Sequence, residues 1–169
     1  MRFNSGQAIV LATIFILLPA LAAAEFKLSE VIEQSLPEFE LQGVDGTSWD
    51  SEKLEGKPWI INFWASWCPP CIAELPSMNE LWATLESENI GMLAINAGET
   101  EKAVTAFLDK AAIDFPIVYS DGTKTLSNWS VRGLPTTLIV DSKGKIVYAA
   151  LGPREWNDPE LIERVLSLR

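Results

Sequence analysis

Histidine is absent from all 169 residues, and cysteine occurs only twice, at positions 68 and 71. A structural zinc site needs about four thiolate or imidazole ligands, so an intramolecular Cys/His site is excluded by counting. A copper site pairing thiols with histidine fails for the same reason. Attachment of haem through C-x-x-C-H fails because residue 72 is Ile. No metal is expected. Basic residues are scarce too, 13 against 23 acidic, for a formal charge of −10. That balance argues against nucleic acid and anionic membrane surfaces as partners. Repeats and low-complexity segments are also missing. With 48% hydrophobic residues the chain has ample material for one core, and disorder is not expected.

The longest apolar stretch lies at the start. Arg2 and the amino terminus give a short positive region, Ala8–Leu18 an apolar run, Pro19 a break, and Ala22-Ala23-Ala24 an A-x-A cleavage site. Residues 1–24 therefore read as a secretory signal, with the domain proper at 25–169. The alternative is an uncleaved anchor, because Ala8–Ala24 approaches the ~20 residues that span a bilayer. Either way the globular part is expected outside the cytoplasm, periplasmic, soluble or tethered to the outer face of the cytoplasmic membrane. Loss of Arg2 by cleavage would take the charge from −10 to −11.

Beyond the signal, apolar residues at 28, 31, 32 and 36 have helical spacing, so a short helix is expected before Pro37. In "PEFELQGVDGTSWD" two short runs flank Asp45-Gly46, the turn of a hairpin. "KPWIINFWA" and "IGMLAINA" are near-continuous apolar runs of strand length, as in strands buried on both faces of a sheet. Between them, from Pro69 to about Glu88, positions 72, 75, 78, 81, 82 and 85 trace a helical face that Pro76 is expected to kink. "ETEKAVTAFLDKAA" is a further helix, with apolar positions 103, 104, 107, 108 and 111. A short strand "FPIVYS", a short helix in "DGTKTLSNWSV", a hairpin from "TTLIVD" through "SKG" to "KIVYAALG", and a helix capped by Asn157 or Asp158 complete the chain. The pattern predicts an α/β fold, a layered sheet with helices on both faces.

The two cysteines admit several readings. A stabilising staple usually closes a long loop, and this one would enclose only two residues. Inert buried thiols are the bland alternative. The placement favours chemistry, because the pair opens a helix directly after a buried strand. With Pro69 at the first helical position, Cys68 becomes the cap residue, its sulfur near unpaired amides and the positive end of the helix dipole. Such surroundings favour thiolate, the nucleophilic form. Cys71 follows one turn later on the same face. One sulfur can then attack a partner disulfide while the other resolves the mixed disulfide.

These residues resemble a known family. "NFWASWCPPC", with Glu74 and Pro76 after it and "RGLPTTLIVDSKGKI" near the end, is similar to the thioredoxin superfamily, and more narrowly to exported TlpA/ResA-like thiol-disulfide oxidoreductases of the redoxin branch. The likeness runs from about Leu36 to Leu168. It implies a thioredoxin-like fold, a central mixed β-sheet flanked by helices, with an N-terminal β-hairpin and a central insertion between Cys71 and Pro135. Residue by residue, Cys68 matches the attacking cysteine and Cys71 the resolving one, together the redox disulfide. Trp67 matches the tryptophan beside the active site, though a packing aromatic is the plainer reading. Pro135 matches the cis-proline facing the disulfide, where client backbone would pair with Leu134; an ordinary strand-start proline is the alternative. Thioredoxin has a buried aspartate where this chain has Asn62, which cannot exchange a proton. Glu74 matches a glutamate of the ResA-like group and, at i+3 from Cys71, could take the Cys71 proton during resolution. A solvated acid near a helix start is its other reading.

The resemblance further implies reduction of client protein disulfides, in some members during cytochrome c maturation, with no cofactor beyond the dithiol. Its partners would be client protein thiols and disulfides and a transmembrane thiol electron donor. Three rivals stand beside this reading: a disulfide-donating oxidase, a thiol peroxidase, and a chaperone or binding module that holds clients at Trp67 and Pro135. Pro69 and Pro70 after Cys68 speak against the peroxidase. Alkylation of the reduced protein across pH tests the shared premise. Cys68 is expected to titrate below the reference near 8.5 and to be labelled before Cys71; labelling of Cys71 first would reverse the roles.

Overall fold

The computed structural model describes residues 28–169, so the expected signal or anchor at 1–24 lies outside the described residues. The framework is set by two strands, β4 (Trp59–Trp64) and β5 (Gly91–Asn96), every residue of which is buried. They pair in parallel, and β5 pairs in parallel with β6 (Ile117–Val118). On the other side β4 runs antiparallel to β7 (Thr136–Val140), β7 to β8 (Lys145–Leu151), and β8 to β1 (Ser29–Ser35). Among the described residues this gives one six-stranded mixed sheet in the order β1-β8-β7-β4-β5-β6. A separate hairpin, β2 (Glu40–Gln42) with β3 (Ser48–Asp50), turns on Gly46 at φ +86°, the Asp-Gly turn that the sequence predicts.

Because side chains alternate along a strand, β4 feeds two cores. Ile60 and Trp64 pack with α1 (Pro69–Glu86), α2 (Glu101–Leu108) and α4 (Pro159–Leu166), through Leu75, Met78, Leu81, Leu85, Val104, Leu161 and Val165. Trp59, Ile61 and Phe63 face the opposite layer, which holds Leu54, Trp129, and Leu126 of α3 (Thr123–Asn128). Helices thus cover both faces, as expected. Each fully buried side chain of this kind contributes about 1.5–3 kcal/mol relative to exposure. Asn62 falls on the α1 face, opposite Thr137 of β7.

Three expectations need correction. The helix predicted on residues 28, 31, 32 and 36 is strand β1, in register with β8 at Ser29↔Ala149 and Ser35↔Lys145, with an irregularity between Glu30 and Gln34. So short an isolated helix is marginal, β-branched Val31 and Ile32 suit a strand, and the open edge of β8 offers a row of hydrogen-bonding partners. Helix α2 is shorter than its pattern, with Val104 its buried contact while Phe107 and Leu108 are half-buried. In α1 the predicted positions 75, 78, 81 and 85 are buried and Trp82 half-buried, but Ile72 is exposed, and Cys71, Glu74 and Ser77 widen the buried face with polar groups. Pro76 lies inside α1, which continues through it to Glu86.

The register Phe63↔Thr136 sets the C-terminal end of β4 beside the N-terminal end of β7. The loop leading to Cys68 and the loop ending at Pro135 therefore meet at one pole of the sheet. Next to them the β5–α2 turn presses on the start of α3, where a side chain on Gly98 (φ +85°) would come within 2.4 Å of the Gly122 Cα. Gly98→Ala would combine an unfavourable backbone conformation with a backbone clash, and is expected to cost at least about 2 kcal/mol, read as a lower urea midpoint.

Candidate active site

The polypeptide leaves β4, turns through Ala65–Trp67 and enters α1 with Cys68 as its cap residue (φ −100°, ψ 97°). The Cys68 amide donates to the Ala65 carbonyl at 3.1 Å, and the Cys68 carbonyl accepts from Ile72 at 3.1 Å, so both ends of the residue are held. Pro69 and Pro70 begin the helix without amide protons. The first-turn amide after them belongs to Cys71, and it donates to Sγ of Cys68 at 3.3 Å. The two cysteines are joined as a disulfide with their Cα atoms 5.3 Å apart. Their exposures differ in the expected sense, 4% for Cys68 and 0% for Cys71.

Cys68 lies in a cleft of about 470 Å³ whose walls come from the two loops that the sheet register brings together. Trp67, Pro69 and Pro70 form one side, and Val131, Arg132, Gly133 and Leu134 the other. Trp67 is 66% exposed, so packing within the chain does not account for it. The Leu134–Pro135 peptide is cis, as the resemblance implies. The Pro135 carbonyl accepts from Gly152 at 2.9 Å, and the Thr136 hydroxyl donates back to the Gly133 carbonyl at 2.7 Å, which fixes the loop from both sides. Trp67, Cys68 and Leu134 thus share one concave surface. Cys71 sits behind it in the core.

Beneath the dithiol is a buried carboxylate. Glu74 is 2% exposed, which rules out the solvated reading. Its Oε1 accepts from Asn62 Nδ2 at 2.9 Å, and its Oε2 from Trp156 Nε1 at 3.0 Å and the Arg154 amide at 3.2 Å. Asn62 Nδ2 also donates to the Thr137 hydroxyl at 2.9 Å, and the Ser77 hydroxyl accepts from the Trp156 amide at 3.0 Å. An ion taken out of water costs several kcal/mol, more than its hydrogen bonds usually return. Burial accordingly dominates and pushes the Glu74 pKa above the usual carboxylate range, although the Trp156, Asn62 and Arg154 hydrogen bonds all oppose the shift. A buried carboxylate with a raised pKa holds its proton to higher pH than an exposed one and can exchange it, which the amide of Asn62 cannot.

Comparison with known proteins bears on this arrangement. The redoxin family model matches residues 32–166. The chain belongs to the redoxin family. Within it, a thiol-disulfide oxidoreductase ResA of Halalkalibacterium halodurans is 35% identical over 129 residues, covering 76% of this chain and 73% of that protein. A ResA of Bacillus cereus is 36% identical over 121 residues, covering 72% and 70%. Among solved structures, a thiol:disulfide interchange protein of the thioredoxin family from Chlorobium tepidum superposes with a TM-score of 0.70 at 26% identity, covering 82% of this chain and 99% of that one. This redoxin is a thioredoxin-fold thiol-disulfide oxidoreductase.

Of the residues the sequence pointed to, Trp67, Cys68 and Leu134 share the cleft, Cys71 is joined to Cys68, Pro135 follows Leu134 through the cis peptide, and Glu74 is buried one turn further along α1. Sequence reasoning missed Trp156 and Arg154 as donors to Glu74, and Thr137 as the second partner of Asn62. Thr137 could be found only from the register of β4 on β7, and Trp156 carries no local signal, being 82 residues from the acid it contacts. The far wall of the cleft, Leu126 and Val131, was also unmarked.

The raised pKa of Glu74 has a stability consequence whose sign is fixed. In the unfolded chain the group ionises near 4.5, in the folded protein only at higher pH. Its contribution is therefore fully present below about 4.5 and is lost as pH rises through the folded value. Measured by urea denaturation of the oxidised protein, the stability of wild type relative to Glu74→Gln is expected to be greatest at pH 4 and to fall as pH rises above about 4.5, levelling off once the folded carboxyl has ionised. A difference independent of pH would mean that burial does not govern this carboxylate.

Proposed function

We propose that this redoxin acts outside the cytoplasm as a reductant of client protein disulfides, with Cys68 as attacking and Cys71 as resolving sulfur. The observation that carries the reading is the position of Cys68, a helix-capping sulfur in the cleft beside Trp67 and the cis-proline loop, with its partner thiol shielded behind it. In the reduced protein the Cys68 thiolate attacks a client disulfide, forms a mixed disulfide and releases one client thiolate. The Leu134 backbone and the Trp67 ring hold the client segment across the cleft. Glu74 then accepts the Cys71 proton, Cys71 displaces the second client thiolate from Cys68, and the Cys68–Cys71 disulfide forms. Two electrons pass to the client, and a transmembrane thiol donor restores the dithiol.

Export is supported by residues 1–24, read as a cleaved signal or a retained anchor. Among the described residues no helix is long and apolar enough to cross a membrane. Clients of the cytochrome c maturation route fall within this proposal on the strength of the TlpA/ResA likeness.

Trapping tests the assignment directly. Cys71→Ser, reduced and exposed to extracytoplasmic extract, should accumulate client adducts on Cys68, whereas Cys68→Ser should accumulate few. Adducts on both variants alike, or on neither, would overturn the division of roles, and mass spectrometry of the captured proteins would identify the clients.

A further inference from the structure

The turn that carries Cys68 is tied to an acid far along the chain. Glu99, at the β5–α2 turn, accepts the Ser66 amide on Oε2 at 2.7 Å and the Ser66 hydroxyl on Oε1. Asn96, fully buried at the end of β5, donates to the same Oε2 at 2.8 Å, and its own amide oxygen accepts from the Glu99 amide at 2.9 Å. The carboxylate is therefore held from the core through Asn96 and holds the loop through Ser66. Partial burial pushes its pKa up, but the hydrogen bonds from Ser66 and Asn96 outweigh this and keep it below the usual carboxylate range, so Glu99 is ionised at neutral pH.

Ser66 is two residues before Cys68, at most about 7 Å along the chain. The carboxylate bonded to Ser66 therefore sits on the turn that carries Cys68, a half-buried place where salt screens it only in part. The amide supply near that sulfur is also thin. Pro69 and Pro70 have no N–H, and the Ser66 N–H is engaged by Glu99, which leaves the Cys71 amide as the observed donor to Sγ. We propose that Glu99 is a positioning residue for the dithiol: by clamping Ser66 it keeps a fixed negative charge beside Cys68 and makes the attacking thiol less acidic than its helix cap alone would. The proposal rests on Cys68 as the attacking sulfur and deepens that reading. A thiolate stabilised less makes the reduced pair less favoured, which biases the protein towards giving electrons. Arg132 on the cleft wall and Glu74 on the inner face of α1 also carry or exchange charge near the dithiol, and neither is altered in the test below.

The test compares wild type, Glu99→Gln and Glu99→Asp as reduced full chains, read by the pH midpoint of Cys68 alkylation and by the equilibrium with glutathione. Glu99→Gln keeps the shape and removes the charge. It should raise the Cys68 thiolate fraction at pH 7 roughly three- to tenfold and shift the glutathione equilibrium towards the reduced dithiol by a similar factor. Glu99→Asp keeps the charge and should return most of the way to wild type. An unchanged midpoint in Glu99→Gln, or an equal shift in both variants, would overturn the proposal. If Glu99→Gln does not fold, the side-chain carboxyl carbon signal of Glu99 in wild type provides the check, since it must move at the Cys68 midpoint and a static signal refutes the coupling. Failure of Cys68 to react ahead of Cys71 in wild type would instead undermine the parent reading, so the two failures are distinguishable.

Discussion

A helix that opens on Cys-Pro-Pro-Cys has few amides to offer in its first turn, and the chemistry of this protein turns on where the remaining one points. The two prolines suit the start of a helix because they sacrifice protons that would have had no partner there. What survives is the Cys71 amide, aimed at the sulfur of Cys68. Capping and the proposed reactivity thus share one interaction: the hydrogen bond that begins α1 in the disulfide form is aimed at the sulfur that would carry charge once the pair is reduced. The rest of the fold presents that sulfur to a cleft while keeping its partner dry.

The sheet performs the presentation. Antiparallel pairing of β4 with β7 brings two loops separated by more than sixty residues to the same pole. The parallel pairing of β4 with β5 brings a third, the turn that ends at Glu99. Strand alternation then sorts the chemistry by depth. Asn62, neighbour of Thr137 across the register, donates both to that hydroxyl and to Glu74 on the α1 side, so a polar pocket is embedded in an otherwise hydrocarbon interface. Such a network is tolerated because both carboxylate oxygens have donors.

The structure also contains two acids whose surroundings push them in opposite directions. Glu74 lies deep, where desolvation outweighs three hydrogen bonds. Glu99 lies nearer the surface, where hydrogen bonds outweigh desolvation. One is suited to exchange a proton and the other to hold a charge. Neither role follows from residue type, since both are glutamates at or near a helix start.

By itself the sequence determined what local chemistry can dictate. The absence of histidine removed metal and haem readings, Pro69 after Cys68 placed the cap, Asp45-Gly46 placed a hairpin, and the apolar runs placed β4 and β5. The tertiary structure decided whatever depends on partners distant along the chain. Residues 29–35 became a strand because β8 offered an unpaired edge, against their helical spacing. Glu74 acquired its raised pKa from burial in the core, against the lowering effect of its hydrogen bonds from Trp156, Asn62 and Arg154, and Ser66 acquired a charged anchor from a turn thirty-three residues away. Spacing along a chain reports which side chains share a face. Burial and ionisation depend on what packs against that face, and only the assembled sheet and helices supply it.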